Sequence, residues 1–225
     1  MTRYLLTRIV RLSAWAAGGL ALALPCAMAA DGINADSIER GKAAAVTCVA
    51  CHQANGAGMN LPAGESWPRL AGLDSDYMVE QLKAFKSGSR SNASMTAFAS
   101  MLNEGQMQDV ANYYASMPVP ETTPPTADEA LLKRGEQLAL RGDWERYIVA
   151  CVSCHGPGNQ GNGSAFPVLA GQHPAYIIQQ IKAWQNGTRK NDPQNLMATI
   201  AKRLDDNDTK AVAFWLAQQP VQGKE

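Results

Sequence analysis

The sequence predicts an all-α protein built from two similar domains in tandem. One pattern of residues occurs twice, about 100 positions apart, and neither copy contains a convincing alternation of apolar and polar residues of the kind that marks strands. A proline-rich segment separates the copies. With 225 residues, 46% of them hydrophobic, the chain is long enough for two small domains and apolar enough to fold.

The first 29 residues have the pattern of a secretory signal peptide. Three arginines precede an apolar run over residues 13–24, and Ala27-Met28-Ala29 supplies the small residues that signal peptidase recognises. Twelve apolar residues fall well short of the roughly 20 that cross a bilayer. We therefore expect cleavage after Ala29 and a mature protein that lies outside the cytoplasmic membrane.

The charge balance gives no sign of a nucleic-acid partner. The full chain has 20 basic and 20 acidic side chains, and removing the signal peptide leaves 17 and 20, a net charge of −3. Residues 30–117 carry that −3, whereas residues 118–225 are neutral. This difference between the halves predicts that different partners meet different halves of the molecule.

The repeat is clearest in two short motifs. Residues 48–52 (CVACH) recur at 151–155 (CVSCH), and residues 68–72 (PRLAG) recur at 167–171 (PVLAG). The matched pairs farther along the chain are Tyr77 with Tyr176, Gln81 with Gln180, Arg90 with Arg189, and Met95 with Met197. The spacing changes by only a few residues between matches, so the two copies predict the same fold with small loop differences.

Four prolines within residues 118–126 separate the copies, and they favour an extended, semi-rigid spacer over a helix. The predicted organisation is a signal peptide over residues 1–29, an N-terminal domain over 30–117, a linker over 118–126 and a C-terminal domain over 127–225.

Each copy predicts three or so helices joined by long loops. Asp36 is the predicted N-cap of the helix before the first motif, and Thr126 with Glu129 forms the predicted capping box of its counterpart. The other predicted boundaries are an end near Gly88, a start at Pro174, an end near Gly187, and starts after Asn103 and Asp205. A domain of roughly 90 to 100 residues with so much loop has a small apolar core, so it needs a disulfide, a metal or a covalently bound cofactor to be stable.

The motif C-x-x-C-H indicates a covalently bound cofactor that would stabilise each domain, because it is the attachment signature of c-type haem. Two cysteines three positions apart reach the two vinyl groups on one porphyrin edge, and the adjacent histidine then points at the iron. We predict two covalent haem c groups, with His52 and His155 as iron ligands. The predicted thioether residues are Cys48, Cys51, Cys151 and Cys154. The fifth cysteine, Cys26, belongs to the signal peptide.

Three other interpretations compete for these cysteines. A four-cysteine zinc site would combine both pairs, yet each pair has its own histidine and its own repeat. A thioredoxin-like redox pair would need an alternating strand and helix context, which the sequence lacks. Structural disulfides fit the spacing but give no reason for a histidine after both pairs. The haem interpretation accounts for every residue of the motif.

The sixth iron ligand follows from the repeat. Met197 is the only methionine of the second copy, and among six in the first copy only Met95 aligns with it. Met59, in a loop seven residues after His52, is the one rival. His173 has no histidine counterpart and is predicted to be a solvated residue at a helix start. We predict His/Met ligation of both irons, the common arrangement in c-type cytochromes.

Two pairs of aligned residues have softer predicted roles. The carbonyls of Pro68 and Pro167 are placed to accept the proton on the non-ligating nitrogen of each histidine, although a turn proline explains them equally. Arg90 and Arg189 fit either a pairing with haem propionates or a solvated surface position.

These motifs together resemble the di-haem cytochromes c4, which consist of two class I cytochrome c domains. The resemblance covers nearly the whole mature chain and rests on both C-x-x-C-H motifs, both P-x-L-A-G segments, the G-[ST]-R-x-N segments and the aligned methionines. It implies two small helical folds around covalent haems that face each other across a pseudo-twofold interface. It further implies a periplasmic carrier between a respiratory donor and a terminal oxidase, often associated with the membrane. The loop over residues 53–67 and the segment 143–147 depart from the repeat.

A closed His/Met sphere leaves no open position on either iron, which favours an electron carrier over an enzyme. The alternative function is an electron-accepting subunit or a catalytic di-haem enzyme, either a peroxidase or a sulfur-compound dehydrogenase. Such catalysis would require a methionine ligand to leave its iron. A third hypothesis, a secreted zinc-binding interaction module, has no haem at all.

Overall fold

A computed structural model describes residues 33–123 and 125–222. The predicted signal peptide lies outside the described residues. Within them the secondary structure is helical, with isolated bridges and no β-strand, so the predicted all-α fold is confirmed. None of the described helices is long and apolar enough to pass through a bilayer.

Among the residues that the structure describes, each half has five α-helices, two more than the sequence predicts. The helices of the first half are α1 (Ala35–Ala44), α2 (Val49–His52), α3 (Ser75–Ser87), α4 (Ala93–Ser100) and α5 (Glu104–Ala115). The helices of the second half are α6 (Glu129–Leu140), α7 (Val152–His155), α8 (Pro174–Gln185), α9 (Leu196–Ala201) and α10 (Asp206–Ala217). The extra helices are short ones: α2 and α7 contain the last four residues of each C-x-x-C-H motif, whose first cysteine is the N-cap, and α4 and α9 contain the aligned methionines.

Two predicted N-caps are wrong. Asn34, not Asp36, caps α1, and Asp36 lies in the first turn of that helix. Asp128 caps α6, so the predicted capping box of Thr126 and Glu129 does not form. In both cases the residue used is the Asn or Asp whose side-chain oxygen reaches the N–H three positions on, and several short polar residues stand close enough together to compete for that role.

The other predicted helix boundaries are confirmed. Asn103 forms a complete capping box with Gln106 at the start of α5, and Asp205 caps α10. Gly88 ends α3 with φ of 81°, in the left-handed region that a residue without Cβ adopts freely. Pro174 is the first residue of α8, where its missing N–H costs nothing.

In each half the first and last helices cross at a glycine. A Cβ built on Gly41 of α1 would lie 1.9 Å from the main-chain oxygen of Asp109 in α5. In the second half, a Cβ on Gly135 of α6 would lie 2.2 Å from the oxygen of Ala211 in α10. Only a hydrogen at these positions lets the helix backbones touch, and this contact fixes the helix before each motif against the last helix of its domain.

Each half buries its own apolar core between its first, third and last helices. In the first half Leu73, Tyr77, Val110 and Tyr114 are central. The equivalent core of the second half contains Leu138, Ile148, Ile177, Ile181, Val212 and Leu216. Val168 from the second half also packs against the core of the first, so the two halves share apolar contact.

The segment 143–147, which has no equivalent in the first half, is held by a cluster of charges. Arg134 donates from Nε to Asp208 at 2.8 Å and from Nη2 to Asp143 at 2.9 Å. Arg146 Nη1 lies 2.7 Å from the second oxygen of Asp208 and forms an ion pair with it. The Asp208 side chain, 2% exposed, thus ties this segment to α6 and α10.

Replacing Asp208 with asparagine should destabilise the second domain, because two arginines lose the carboxylate that they share. We expect the free energy of unfolding to fall by about 2 to 3 kcal/mol, the cost of losing hydrogen bonds between charged groups. Denaturant unfolding of the haem-loaded protein measures this. Asp206→Asn is the matched control: that side chain is 89% exposed in its pair with Lys182, so its loss should cost about 1 kcal/mol or less. Equal effects would contradict the proposed role of Asp208.

Candidate functional site

The two C-x-x-C-H motifs adopt the same local structure. Each is a single helical turn in which the histidine N–H donates to the carbonyl of the first cysteine, at 2.9 Å from His52 to Cys48 and at 2.9 Å from His155 to Cys151. The turn brings both cysteines and the histidine of a motif to one side. All four cysteine side chains are half-buried.

Both motif histidines are buried and oriented by a main-chain carbonyl. His52 Nδ1 lies 3.0 Å from Pro68 O, and His155 Nδ1 lies 2.8 Å from Pro167 O. A carbonyl only accepts, so Nδ1 is the protonated nitrogen and Nε2 is left with the free lone pair that binds a metal. Burial lowers the pKa of both histidines, which favours the neutral, ligating form. The predicted acceptor role of both prolines is confirmed.

A cavity of about 1070 Å³ joins the two motifs. It exceeds the usual range of about 300 to 1,000 Å³ for a site that takes one small molecule, and its walls are mainly apolar. All eight predicted haem-site residues line it: Cys48, Cys51, His52, Met95, Cys151, Cys154, His155 and Met197. The volume, the apolar walls and two oriented imidazoles fit two haem groups, one at each motif.

The cavity also distinguishes between Met95 and Met59, the two candidates for the sixth ligand of the first haem iron. Met95 lines it, whereas Met59 does not and is 36% exposed in the loop after the first motif. In the residues described, no three His, Cys, Asp or Glu side chains converge in a way that could hold a metal ion. The arrangement therefore disfavours a zinc site shared by the two cysteine pairs.

Arg90 reaches across the boundary between the halves. Its Nη2 donates to Tyr176 Oη at 2.6 Å and to Gln180 Oε1 at 2.7 Å, both on α8 of the other half. Its Nη1 donates to Gln81 at 3.1 Å in its own half, and the guanidinium lies 4.4 Å above the Phe85 ring. The side chain is 5% exposed, so the solvated alternative for Arg90 is wrong.

Arg189 makes the reciprocal contacts. Its Nη2 donates to Tyr77 Oη at 3.2 Å and to Gln81 Oε1 at 2.9 Å in the first half, while Nη1 donates to Gln180 at 2.9 Å. Its guanidinium lies 3.9 Å above the Trp184 ring, and it too is only 5% exposed. Burial, followed by the charge of Arg90, lowers the pKa of Arg189. Solvation is therefore excluded for this arginine as well.

The main chain completes this pseudo-symmetric junction. Ser91 N donates to Thr188 O at 2.8 Å, and Lys190 N donates to Ser89 O at 2.7 Å, which forms an isolated antiparallel bridge between Arg90 and Arg189. The repeat in the sequence shows which arginines, tyrosines and glutamines are equivalent, but it does not show that they contact one another. Their shared offset of 99 was the available signal.

A second contact between the halves corrects the prediction for His173. Its ring is partly buried, with Nε2 at 2.8 Å from Ala57 O in the first half, so it is not a solvated residue. It does stand at the start of α8, as predicted, but makes no capping bond there. Next to it, Gln172 Oε1 accepts from Arg69 N at 2.9 Å and Gln172 Nε2 donates to Arg69 O at 3.0 Å. Nothing in the sequence indicated this pairing.

Comparison with known families and proteins agrees with the two-domain arrangement. The family model for cytochrome c matches residues 38–118 and again residues 132–220. The chain is 49% identical to a thiosulfate dehydrogenase electron acceptor of Thiomonas intermedia, over 79% of this chain and 80% of that protein. A protein of the same description from Stutzerimonas stutzeri is 43% identical, over 90% and 94% of the two chains. Cytochrome c4 of Thiocapsa roseopersicina is 39% identical, over 75% and 85%.

Solved structures of similar proteins share the fold. Reduced cytochrome c4 from Pseudomonas stutzeri superposes with a TM-score of 0.72 and 31% identity, covering 81% of this chain and 98% of that one. The thiosulfate dehydrogenase TsdBA from Marichromatium purpuratum gives a TM-score of 0.74 and 37% identity over 82% of this chain. The match spans only 40% of that longer protein.

The resemblance to cytochromes c4 drawn from the motifs is thus confirmed, as are the two covalently attached haem c groups that tandem cytochrome c domains carry. Both matched regions contain one C-x-x-C-H motif. The chain belongs to the cytochrome c family, as a di-haem electron-transfer protein similar to cytochrome c4.

Proposed function

We propose that this chain is a periplasmic electron carrier that receives electrons from a thiosulfate dehydrogenase and passes them to a further redox partner such as a terminal oxidase. The observation that carries this proposal is the continuous cavity that joins two complete sets of haem-binding residues. A chain with two adjacent one-electron groups accepts the electrons of a two-electron oxidation in one encounter. The proposed domains, residues 30–117 and 127–225 with the linker 118–126 between them, each contribute one haem.

In this proposal haem 1 is attached through Cys48 and Cys51 and haem 2 through Cys151 and Cys154. His52 and Met95 bind the iron of haem 1. His155 and Met197 bind the iron of haem 2. When bound, each haem supplies one reversible one-electron couple, and two protein ligands on each iron leave no position for oxygen or peroxide. The lining of the cavity by all eight residues supports this assignment.

The two buried arginines fit the haem carboxylates. Arg90 and Arg189 both line the cavity, and among the described residues neither forms an ion pair with a carboxylate. Buried guanidinium groups are costly without an anion. We propose that each arginine holds haem propionates while its remaining donors bind tyrosine and glutamine of the opposite half. This arrangement would hold the two haems at a fixed separation.

The donor is inferred from the relatives. Two proteins at 49% and 43% identity are described as electron acceptors of thiosulfate dehydrogenase, whereas the cytochrome c4 from Thiocapsa roseopersicina is 39% identical. This supports a thiosulfate dehydrogenase as the electron donor of this chain, in preference to a respiratory complex. The chain itself is proposed to perform no oxidation of thiosulfate, because both irons are fully ligated.

Reduction by a separate dehydrogenase tests the proposal. The purified, oxidised di-haem protein is mixed with thiosulfate and a catalytic amount of a thiosulfate dehydrogenase, and haem reduction is followed by absorbance. We expect two electrons taken up per chain, and no reduction when the dehydrogenase is left out. Turnover of thiosulfate or peroxide by this chain alone would overturn the carrier proposal in favour of an enzyme. Failure of the dehydrogenase to reduce the chain would overturn the proposed donor.

A further inference from the structure

The indole of Trp184 has a buried hydrogen-bond donor that no protein atom accepts. Its Nε1 is shielded from solvent and has no partner among the described residues. An indole N–H can only donate, and a buried one nearly always finds an acceptor in a native protein. Trp184 lines the cavity that fits the two haems, so the group that fills this cavity is the candidate acceptor.

Trp184 lies on the side of the cavity that belongs to the second half. Its side chain packs against the same apolar core as Cys151 and Met197, two of the residues proposed to hold haem 2. Every member of that core and every side chain packed against it comes from residues 138–216. The indole therefore stands beside haem 2.

Arg189 is stacked on this indole. Its guanidinium lies 3.9 Å above the Trp184 ring, and the arginine lines the same cavity while only 5% exposed. Among the described residues Arg189 has no carboxylate partner, and it is proposed above to hold a haem propionate. A guanidinium and an indole N–H thus lie in one stacked pair beside the cavity.

The first half repeats the stacked pair without the donor. Phe85 is equivalent to Trp184 at the offset of 99 that also relates Arg90 to Arg189, and Arg90 lies 4.4 Å above the Phe85 ring. Phe85 lines the cavity as well and is 6% exposed. A phenyl ring supports an arginine by the same cation–π contact but has no N–H. The two haem sites therefore differ by one hydrogen-bond donor at this place.

The propionates are the strong hydrogen-bond acceptors of a haem, because its ring nitrogens are bound to the iron. A carboxylate takes several donors at once and binds an N–H more tightly than a neutral acceptor does. The rival acceptor within the chain is Asp192, whose Oδ1 is also buried without a partner and lines the cavity. Its Oδ2 accepts from Ala198 N at 2.8 Å, so this carboxylate is held near the start of α9 and forms no hydrogen bond with Trp184.

We infer that Trp184 Nε1 donates a hydrogen bond to a propionate of haem 2, beside the guanidinium of Arg189. The inference rests on the proposed haem 2 site and adds one cofactor-binding residue to it. The negative charge of a propionate disfavours the extra electron of the reduced iron, and a donor to that propionate offsets part of the charge. Trp184 therefore raises the reduction potential of haem 2, whereas Phe85 gives haem 1 no such donor.

Ultraviolet resonance Raman spectroscopy of the haem-loaded protein tests the bond itself. The difference spectrum between the native protein and Trp184→Phe isolates the indole of Trp184, and Trp184→Tyr supplies it if the phenylalanine variant does not accumulate. We expect the N–H bending band of this indole at the position of a strong hydrogen bond. Asp192→Asn, which removes the charge of the rival acceptor, should leave the band where it is.

A redox titration of the haem-loaded protein measures the consequence. Trp184→Phe gives the second half the side chain that the first half already has. One midpoint should therefore fall, and the ratio of electron occupancy between the haems should change by roughly threefold, about 28 mV for a one-electron couple. Phe85→Trp should raise the other midpoint by a similar factor. Trp215→Phe is the matched control: that indole packs against the same core but does not line the cavity, so both midpoints should stay native.

The outcomes are distinguishable. An indole band at the position of a free N–H, or one that moves in Asp192→Asn, would overturn the inferred bond. Unchanged midpoints in Trp184→Phe, or the same shift in Trp215→Phe, would overturn its effect on haem 2. Should Trp184→Phe not accumulate, an unshifted midpoint in Phe85→Trp would do so equally. A high-spin haem in the native protein would instead overturn the ligand assignment in the proposed function, and the indole band would still report the bond of Trp184.

Discussion

Replacing Met95 with leucine should lower the reduction potential of haem 1 by a large fraction of the roughly 0.8 V over which axial ligands set haem potentials. Leucine has similar volume but no donor atom, so the iron loses the thioether that stabilises its reduced state. The vacated position should also bind carbon monoxide or cyanide, which the native protein should resist. A redox titration and a ligand-binding titration, both followed by absorbance, measure the two effects.

Two further variants make this prediction specific. Met197→Leu should produce the same changes at haem 2 and leave haem 1 as it is. Met59→Leu removes the rival methionine, which is 36% exposed and away from the cavity, and should leave both potentials unaltered. The proposed ligation would be contradicted if Met59→Leu opened haem 1 to carbon monoxide while Met95→Leu did not.

The features that the sequence predicted well depend on near neighbours in the chain. The end of α3 at Gly88 and the capping box at Asn103 are set by residues within a few positions, so a short window of sequence contains the cause. The histidine orientation was also predictable, because Pro68 and Pro167 stand at matching distances after matching motifs. Because the motif and the proline occur twice at matching spacing, each copy independently supports the interpretation of the other.

The features that the sequence did not predict join residues that are far apart. Arg90 and Tyr176 are separated by 86 positions, and Arg69 and Gln172 by 103. Their contact depends on how the two halves dock, and neither composition nor periodicity encodes that. His173 illustrates the consequence: its aligned residue Asp74 caps α3 through its side chain, whereas the His173 ring is drawn to a carbonyl of the other half. Equivalent positions of a repeat therefore share backbone structure, but they do not always share side-chain contacts.

Replacing Gly135 with alanine should cause one of the largest losses of stability in the second domain. The added Cβ would lie 2.2 Å from Ala211 O and 2.6 Å from the Cβ of Trp215, so α6 and α10 would have to move apart. Backbone atoms cannot adjust as a side chain does, and separating this helix pair opens the core beside haem 2. We expect a loss of about 3 kcal/mol or more in the free energy of unfolding, measured by denaturant titration of the haem-loaded protein.

Gly105→Ala is the matched control, because it makes the same chemical change in a helix where space is available. Gly105 is exposed in the first turn of α5, and the nearest atom to an added Cβ is Asn103 Oδ1 at 3.4 Å. Alanine has the better helix propensity, so this variant should be neutral or gain up to about 1 kcal/mol. Gly41→Ala, with its Cβ 1.9 Å from Asp109 O, should repeat the loss in the first domain. If Gly135→Ala were as stable as Gly105→Ala, the prediction would be contradicted. The crossing of α6 and α10 would then not depend on close contact between their backbones.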